Sequence, residues 1–237
     1  TMNGKWQDQY FRLSDIVDAR RFVLMLPNGT PENSANEYRF WNAISGGCCN
    51  FYGSAVDDVA YLESLIAFAK EAYNVDADRV YLVGYSNGAF MAHTLACERP
   101  VDIAAIVSVA GTTYEREISC AADTPVSVLH IHGDADTTVR FGGGSIGSST
   151  YPGAFETVSR WATIAECDLT ASKSSVALDL VATIEGGETT VTVFSDGCVE
   201  ATTFALWRMR GATHSPALNV RFPSLVIDWL FLHNKNM

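Results

Sequence analysis

The chain is short of positive charge. Its 237 residues carry 16 Lys and Arg against 27 Asp and Glu, a formal net charge of −11 and a pI near 4.8. A surface of that sign repels phosphate backbones and anionic lipid, which argues against nucleic acid and acidic membranes as partners. No apolar run reaches the ~20 residues that cross a bilayer, so no membrane insertion is expected. The start has no basic stretch followed by an apolar core, so no signal peptide is expected in the sequence as it stands. Cys-x-x-Cys is missing, and the adjacent Cys48-Cys49 is poor spacing for a metal site. No internal repeat occurs, and the Gly142-to-Ser149 tract is too short for a linker and reads as a loop inside one domain. What is present is a globular composition, 48% hydrophobic and 18% charged, with length for one large α/β domain spanning 1–237. The six cysteines are more than a core of this size needs and suggest an oxidising compartment.

The segment from Arg79 to Ala92 organises the rest. Val80 to Val83 is an apolar, β-branched and aromatic run that predicts a strand buried on both faces. Gly84 and Gly88 bracket Ser86 as Gly-x-Ser-x-Gly, and from Asn87 the pattern turns helical through Phe90, Met91, Leu95 and Ala96. Strand, sharp turn and helix together make a nucleophile elbow. Glycines are expected at both positions because a Cβ there would crowd the strand or the helix. The turn holds the Ser86 hydroxyl at the carboxyl end of the sheet, with the backbone N–H of Asn87 aimed at a developing oxyanion.

Around the elbow the chain predicts a helix from about Phe11 to Ala19, a buried strand Phe22–Leu26 stopped by Pro27-Asn-Gly-Thr30, and a long loop over 31–55. A helix from Asp57 or Asp58 to about Tyr73 follows, with Val59, Leu62, Ile66 and Ala69 on one face. After the elbow come strands Ile103–Val109 and Val126–Ile131, a helix Phe155–Ala165, alternating strands over 176–184 and 188–195, a strand Phe204–Met209 and a helix Pro223–Leu232. Apolar strands alternating with helices imply a mostly parallel central sheet covered on both faces, with ligands at the strands' carboxyl ends.

A serine hydroxyl needs a base in hydrogen-bond reach, itself oriented by a carboxylate. On a hydrolase sheet of this kind these follow in the order Ser, Asp or Glu, His. Of the five histidines, His93 falls inside the elbow's own helix, and His130 and His132 belong to a strand that precedes the acid. His233 is near the chain's last helical turn. His214 alone occupies a loop straight after a late strand, among small neighbours Gly211, Ala212 and Ser215. The acid should lie just past Ile131, where Asp134 and Asp136 both qualify. Asp134 sits in the tight His-Gly-Asp turn and is suited to bonding backbone, which favours Asp136. Asp179 and Asp196 fall among the late strands and read as solvated. Tyr85 and Trp41 are candidates to line a substrate pocket, with plain packing as the alternative. No two histidines have ligand spacing on a helix, although His130-x-His132 could meet a metal from one strand face. No cofactor is called for.

These residues resemble the secreted esterase and polyhydroxybutyrate-depolymerase family, which includes feruloyl and acetylxylan esterases of the α/β-hydrolase fold. The resemblance runs over nearly the whole chain, through Phe22-to-Thr30, Trp41-Asn42, Gly47-Cys48-Cys49, Val56-Asp57-Asp58-Val59, Asp78-Arg79-Val80-Tyr81, Gly84-Tyr-Ser-Asn-Gly88 and His132-Gly-Asp-Ala-Asp136. It implies Ser86 as nucleophile, Asp136 as acid, His214 as base, and a Cys167–Cys198 disulfide. Cys48, Cys49, Cys97 and Cys120 supply two further bridges of open pairing. It implies a secreted or periplasmic carboxylic-ester hydrolase, acting on feruloyl, acetyl, short-chain acyl or polyester substrates. A binding protein on a degenerate hydrolase fold and a serine peptidase are the alternatives. Two departures stand out. Family members begin with further strands, the last ending in a His-Gly turn that gives the second oxyanion donor, whereas this sequence opens at Thr1. It therefore reads as lacking those strands, with Thr1 or Met2 as the candidate donor. The family's Trp-Pro after the histidine is here Ser215-Pro216. Oligomeric state is left open.

Overall fold

The computed structural model describes residues 3–32, 38–43, 49–50, 53–113, 124–174 and 177–235. Helix α1 spans Gly4–Phe11, earlier than the apolar spacing predicts, because Asn3 caps it by accepting from the Trp6 N–H at 2.9 Å. Arg12, at φ 58°, turns the chain out of α1 into a 3-10 turn and the short α2, Val17–Arg20. The expected strand Phe22–Leu26 does not form a ladder with any described strand, and Val23 and Leu26 are 46% and 41% exposed. Two-residue strands β1 (Thr30–Pro31) and β2 (Arg39–Phe40) pair within the expected long loop. Helix α3 is Asp58–Ala72, capped by the Asp57 carboxylate on the Ala60 N–H at 2.9 Å.

Strand β3 (Tyr81–Tyr85) leads into α4 (Asn87–Glu98), then β4 (Ala105–Val109) and β5 (Ser127–Gly133). The Gly142–Ser149 tract, expected as a loop, is mostly a hairpin: β6 (Gly144–Ile146) and β7 (Ser149–Tyr151) join through Gly147 at φ 62°. Helix α5 (Ala154–Ile164) is followed by β8 (Ser172–Lys173), β9 (Thr189–Phe194), β10 (Phe204–Met209) and α6 (Phe222–Leu230). The strand expected over 176–184 is reduced to two isolated bridges, Leu178 to Thr189 and Val181 to Leu218. That segment leaves the sheet to bury Leu180 and Val181 beneath it.

The central sheet runs β3-β4-β5-β10-β9-β8. Its first four strands are parallel, and β9 and β8 are antiparallel additions. One apolar cluster packs α3, α4 and α5 on one face, and a second packs α1 and α6 on the other. Every residue of β4 and β5 is buried. Strand β3 is only half-buried, not covered on both faces as its composition suggests. Its outer edge meets no described strand. Between that edge and residues 22–27 lies a cavity of about 920 Å³, lined by Leu24, Leu62, Ile66, Val83, Met91 and Ile227 among others.

Candidate active site

The turn from β3 to α4 holds Ser86 at φ 53° and ψ −119°, a conformation that costs an L-residue about 1–3 kcal/mol. The neighbourhood over-determines it. The Ser86 N–H donates to the Val109 carbonyl at 2.8 Å, and the Ser86 carbonyl accepts from Ala89 and Phe90 at 2.9 and 3.2 Å. A Cβ on Gly84 would lie 2.2 Å from the Gly88 carbonyl oxygen, and one on Gly111 would lie 2.4 Å from that of Ser86. Gly88 differs from the expectation: a Cβ there meets only the Trp41 indole, at 3.8 Å. The crowded partners of the elbow are Gly84 and Gly111, and Gly111 sits 25 residues downstream where the pentapeptide pattern cannot point to it.

His214 stands in the loop after β10, its Nε2 3.0 Å from Ser86 Oγ and its Nδ1 2.7 Å from Asp136 Oδ2. Two tyrosines hold that loop. Tyr10 donates to the Pro216 carbonyl at 3.1 Å, and the Tyr85 hydroxyl hydrogen-bonds Ser215 Oγ while its ring lies 5.2 Å from the His214 ring. Tyr85 thus braces the histidine loop, and burial raises the pKa of its phenol.

Asp136 is buried. Its Oδ1 accepts from the Thr138 and Val139 N–H groups at 2.8 and 2.9 Å, and its Oδ2 from His214 and from His132, the latter at 3.2 Å. Burial alone would raise its pKa. The hydrogen bonds from His132 and His214, the His214 charge and the Thr138 N–H outweigh that and hold it well below the carboxylate range. Asp134 takes the other task open to it: its Oδ1 accepts from the Gly211 N–H at 2.7 Å and its Oδ2 from Arg208 Nε at 2.9 Å, tying the β5 turn to the histidine loop. Asp179 accepts from Asn219 at 3.2 Å, and Asp196 is exposed.

Asn87 is the first residue of α4, so its N–H belongs to the helix N-terminus beside Ser86. Its side chain clamps Trp41, accepting from the Trp41 N–H at 2.6 Å and donating to the Trp41 carbonyl at 3.0 Å. The Trp41 indole packs between Gly88 and Tyr61, whose ring it stacks on at 6.3 Å. Thr1, the candidate second oxyanion donor, lies outside the described residues together with Met2.

The other histidines are buried. His93 accepts from Trp161 Nε1 at 3.0 Å, and burial pushes its pKa down to about 3. Burial likewise pushes His233 down to about 4. His130 and His132 face each other, Nε2 to Nδ1, at 3.0 Å. Those facing nitrogens are engaged with each other, and no metal-ligating group of three His, Cys, Asp or Glu side chains occurs among the described residues. Neither histidine enters the site by sequence order, yet His-x-His on a strand places both rings on one face, and that spacing is the signal that could have found them.

Cys167 and Cys198 are joined, tying the end of α5 to the turn before β10. Cys49 and Cys97 each take part in a disulfide, and the pairing stays open because Cys48 and Cys120 lie outside the described residues. None of the described helices is long and apolar enough to cross a membrane.

Residues 55–158 match the family model described as Phospholipase/Carboxylesterase. The chain is 28% identical over 116 residues to feruloyl esterase B of Neurospora crassa, covering 49% of this chain and 37% of that one. It is 25% identical over 146 residues to a bifunctional acetylxylan esterase/xylanase of Neocallimastix patriciarum, covering 60% and 19%. The chain therefore spans well under half the length of these curated relatives. In three dimensions it superposes on an acetyl xylan esterase from Aspergillus awamori with a TM-score of 0.61 at 15% identity, over 97% of this chain and 85% of the other. The chain has the α/β-hydrolase fold, and across residues 55–158 it matches the phospholipase/carboxylesterase family.

Proposed function

We propose that the chain is a serine carboxylic-ester hydrolase that works through an acyl-enzyme. The observation that carries this reading is the unbroken line Ser86 Oγ, His214, Asp136, with links of 3.0 and 2.7 Å. In the first half-reaction Ser86 Oγ attacks the ester carbonyl and His214 Nε2 takes its proton. The Asp136 carboxylate holds Nδ1–H and stabilises the imidazolium. The tetrahedral oxyanion is received by the N–H of Asn87 at the start of α4. As it collapses, His214 gives its proton to the leaving alcohol. Water, deprotonated by His214, then attacks the acyl-enzyme, and the acid departs as Ser86 regains its proton.

The names of the relatives direct the choice of substrate to acetylxylan and feruloyl esters. The disulfide supports an oxidising compartment outside the cytosol. The test is hydrolysis of p-nitrophenyl acetate and methyl ferulate by the wild type and by Ser86→Ala. The variant should lose about six orders of magnitude in kcat. Equal rates for the two proteins would reject the assignment, and a chromogenic peptide cleaved in preference to both esters would move it to the peptidases.

A further inference from the structure

Behind Asp136 the hydrogen bonds do not stop. His132 Nε2 lies 2.8 Å from the Val139 carbonyl oxygen and 3.2 Å from Asp136 Oδ2. A carbonyl can only accept, so Nε2 carries a hydrogen and shares it between the two. His132 Nδ1 meets His130 Nε2 at 3.0 Å, His130 Nδ1 meets Ser108 Oγ at 3.1 Å, and the Ser108 hydroxyl donates to the Gly111 carbonyl at 2.7 Å. All three side chains are 0% exposed. The strand register sets them in a row: Ser108 of β4 stands opposite His130 of β5, and His132 lies two residues on, on the same face.

The row is bounded at both ends by carbonyl acceptors. It therefore has four links, while a neutral serine and two neutral imidazoles bring three protons. A further proton on the imidazole pair would complete every link and would sit beside the Asp136 carboxylate. With or without it, Asp136 Oδ2 serves two imidazoles, His214 on the substrate side and His132 on the buried side.

We propose that His132 is a positioning residue that shares Asp136 Oδ2 with His214 and thereby lowers the basicity of the His214 imidazole. This rests on the catalytic reading of Ser86, His214 and Asp136. A carboxylate whose oxygen already accepts from a second donor stabilises the imidazolium less. The other groups packed around the pair are accounted for. His130 lies beside His132, and His93 behind His130, with ring centroids 6.2 Å apart. Asp134 and Arg208 are paired to each other, Arg208 also lying over the Phe141 ring that abuts His132. On the substrate side Tyr85 faces His214 with its hydroxyl on Ser215, and Tyr10 packs on Tyr85. Near the turn after β5, Tyr151 accepts from the Arg140 N–H.

Two variants separate reach from bulk. His132→Asn places its amide near the Nδ1 position, short of Asp136, and His132→Gln places it near Nε2, where it can donate to Asp136 and Val139. The measurement is the pH profile of kcat/KM on p-nitrophenyl acetate. His132→Asn should move the acid-limb pKa up by about half a unit, and His132→Gln should return it to within about 0.2 of the wild type. A limb unmoved in His132→Asn, with only rate or melting temperature reduced, would leave His132 a purely structural role and overturn the proposal. Should His132→Asn not fold, 15N-histidine NMR of the wild type reads the same contact without turnover. Nε2 of His132 must be protonated, with its hydrogen shifted downfield, and an unprotonated Nε2 overturns the proposal. Wild-type protein without Ser86-dependent hydrolysis fails the catalytic reading, and the His132 resonance then decides the hydrogen bond separately.

Discussion

The two sides of the central sheet are built differently. Strands β4 and β5 are buried throughout and β10 nearly so, and from their carboxyl ends come Asp136 and His214. The β3 edge is half-buried, faces the 920 Å³ cavity and runs beside a segment, 22–27, that joins no ladder. Ser86 sits at the end of β3, yet its backbone is fastened inward, to Val109 and under Gly111, and not to the open side. The line Ser86, His214, Asp136 is therefore fastened mainly to the closed half of the molecule, with Tyr10 and Tyr85 bracing its histidine loop from the other side.

The largest effect that separates functional from structural roles falls on two aspartates two residues apart. Asp136→Asn should lower kcat by about four orders of magnitude, because an amide presents a donor to His214 Nδ1 and fixes the wrong tautomer. Asp134→Asn loses a surface ion pair with Arg208 and keeps an oxygen for the Gly211 N–H, so it should cost less than about tenfold. Steady-state kinetics on one ester checks both, and comparable losses would mean the acid has been misassigned between them.

Next comes stability. Leu129→Ala, in the centre of β5, should cost about 3–4 kcal/mol, whereas Leu24→Ala, half-buried at the cavity, should cost about 1 kcal/mol. Urea denaturation measures both. Equal losses would mean that the 22–27 segment packs as tightly as the sheet interior.

The last effect is one of slope. His93 has its pKa pushed down to about 3 by burial, so it stays neutral in the folded protein while the unfolded chain binds a proton below about 6.5. Its contribution is complete above that pH and is lost as pH falls from about 6.5 towards 3, at about 1.4 kcal/mol per unit. His93→Gln keeps an acceptor for Trp161 and should flatten the stability curve by that amount between pH 6 and 4. The depressed Asp136 adds its own loss only below about pH 4.

The same division governs what could be read from sequence. In the closed half, continuous apolar runs can only be covered strands, and Phe204–Met209 coincides with β10 while Val126–Ile131 falls within a residue or two of β5. In the open half the reading fails for lack of a neighbour: Phe22–Leu26 has a strand's composition, but a strand is a pairing and no described partner stands beside it. On the far side, by β9, the stretch 176–184 alternates as a strand does, yet Val181 is drawn off to Leu218. Helix α1 escaped notice because its start is set by a cap, Asn3, and its face by two stacked rings, Trp6 and Tyr10, in an otherwise polar run. At the site, order along the chain pointed to Ser86, His214 and the Asp134–Asp136 pair. The buried row from His132 to Ser108 is a property of register between two strands, which the spacing of one strand shows only in half.

The proposed hydrolysis requires Ser86 to be an activated nucleophile. Incubation with diisopropyl fluorophosphate at neutral pH, followed by peptide-resolved mass spectrometry, tests this without presuming the natural ester. The expected result is one phosphoryl adduct on the peptide containing Ser86, absent in Ser86→Ala and formed at least about a hundredfold more slowly in His214→Ala. An unmodified Ser86 in the wild type, or labelling that persists in Ser86→Ala, would contradict it.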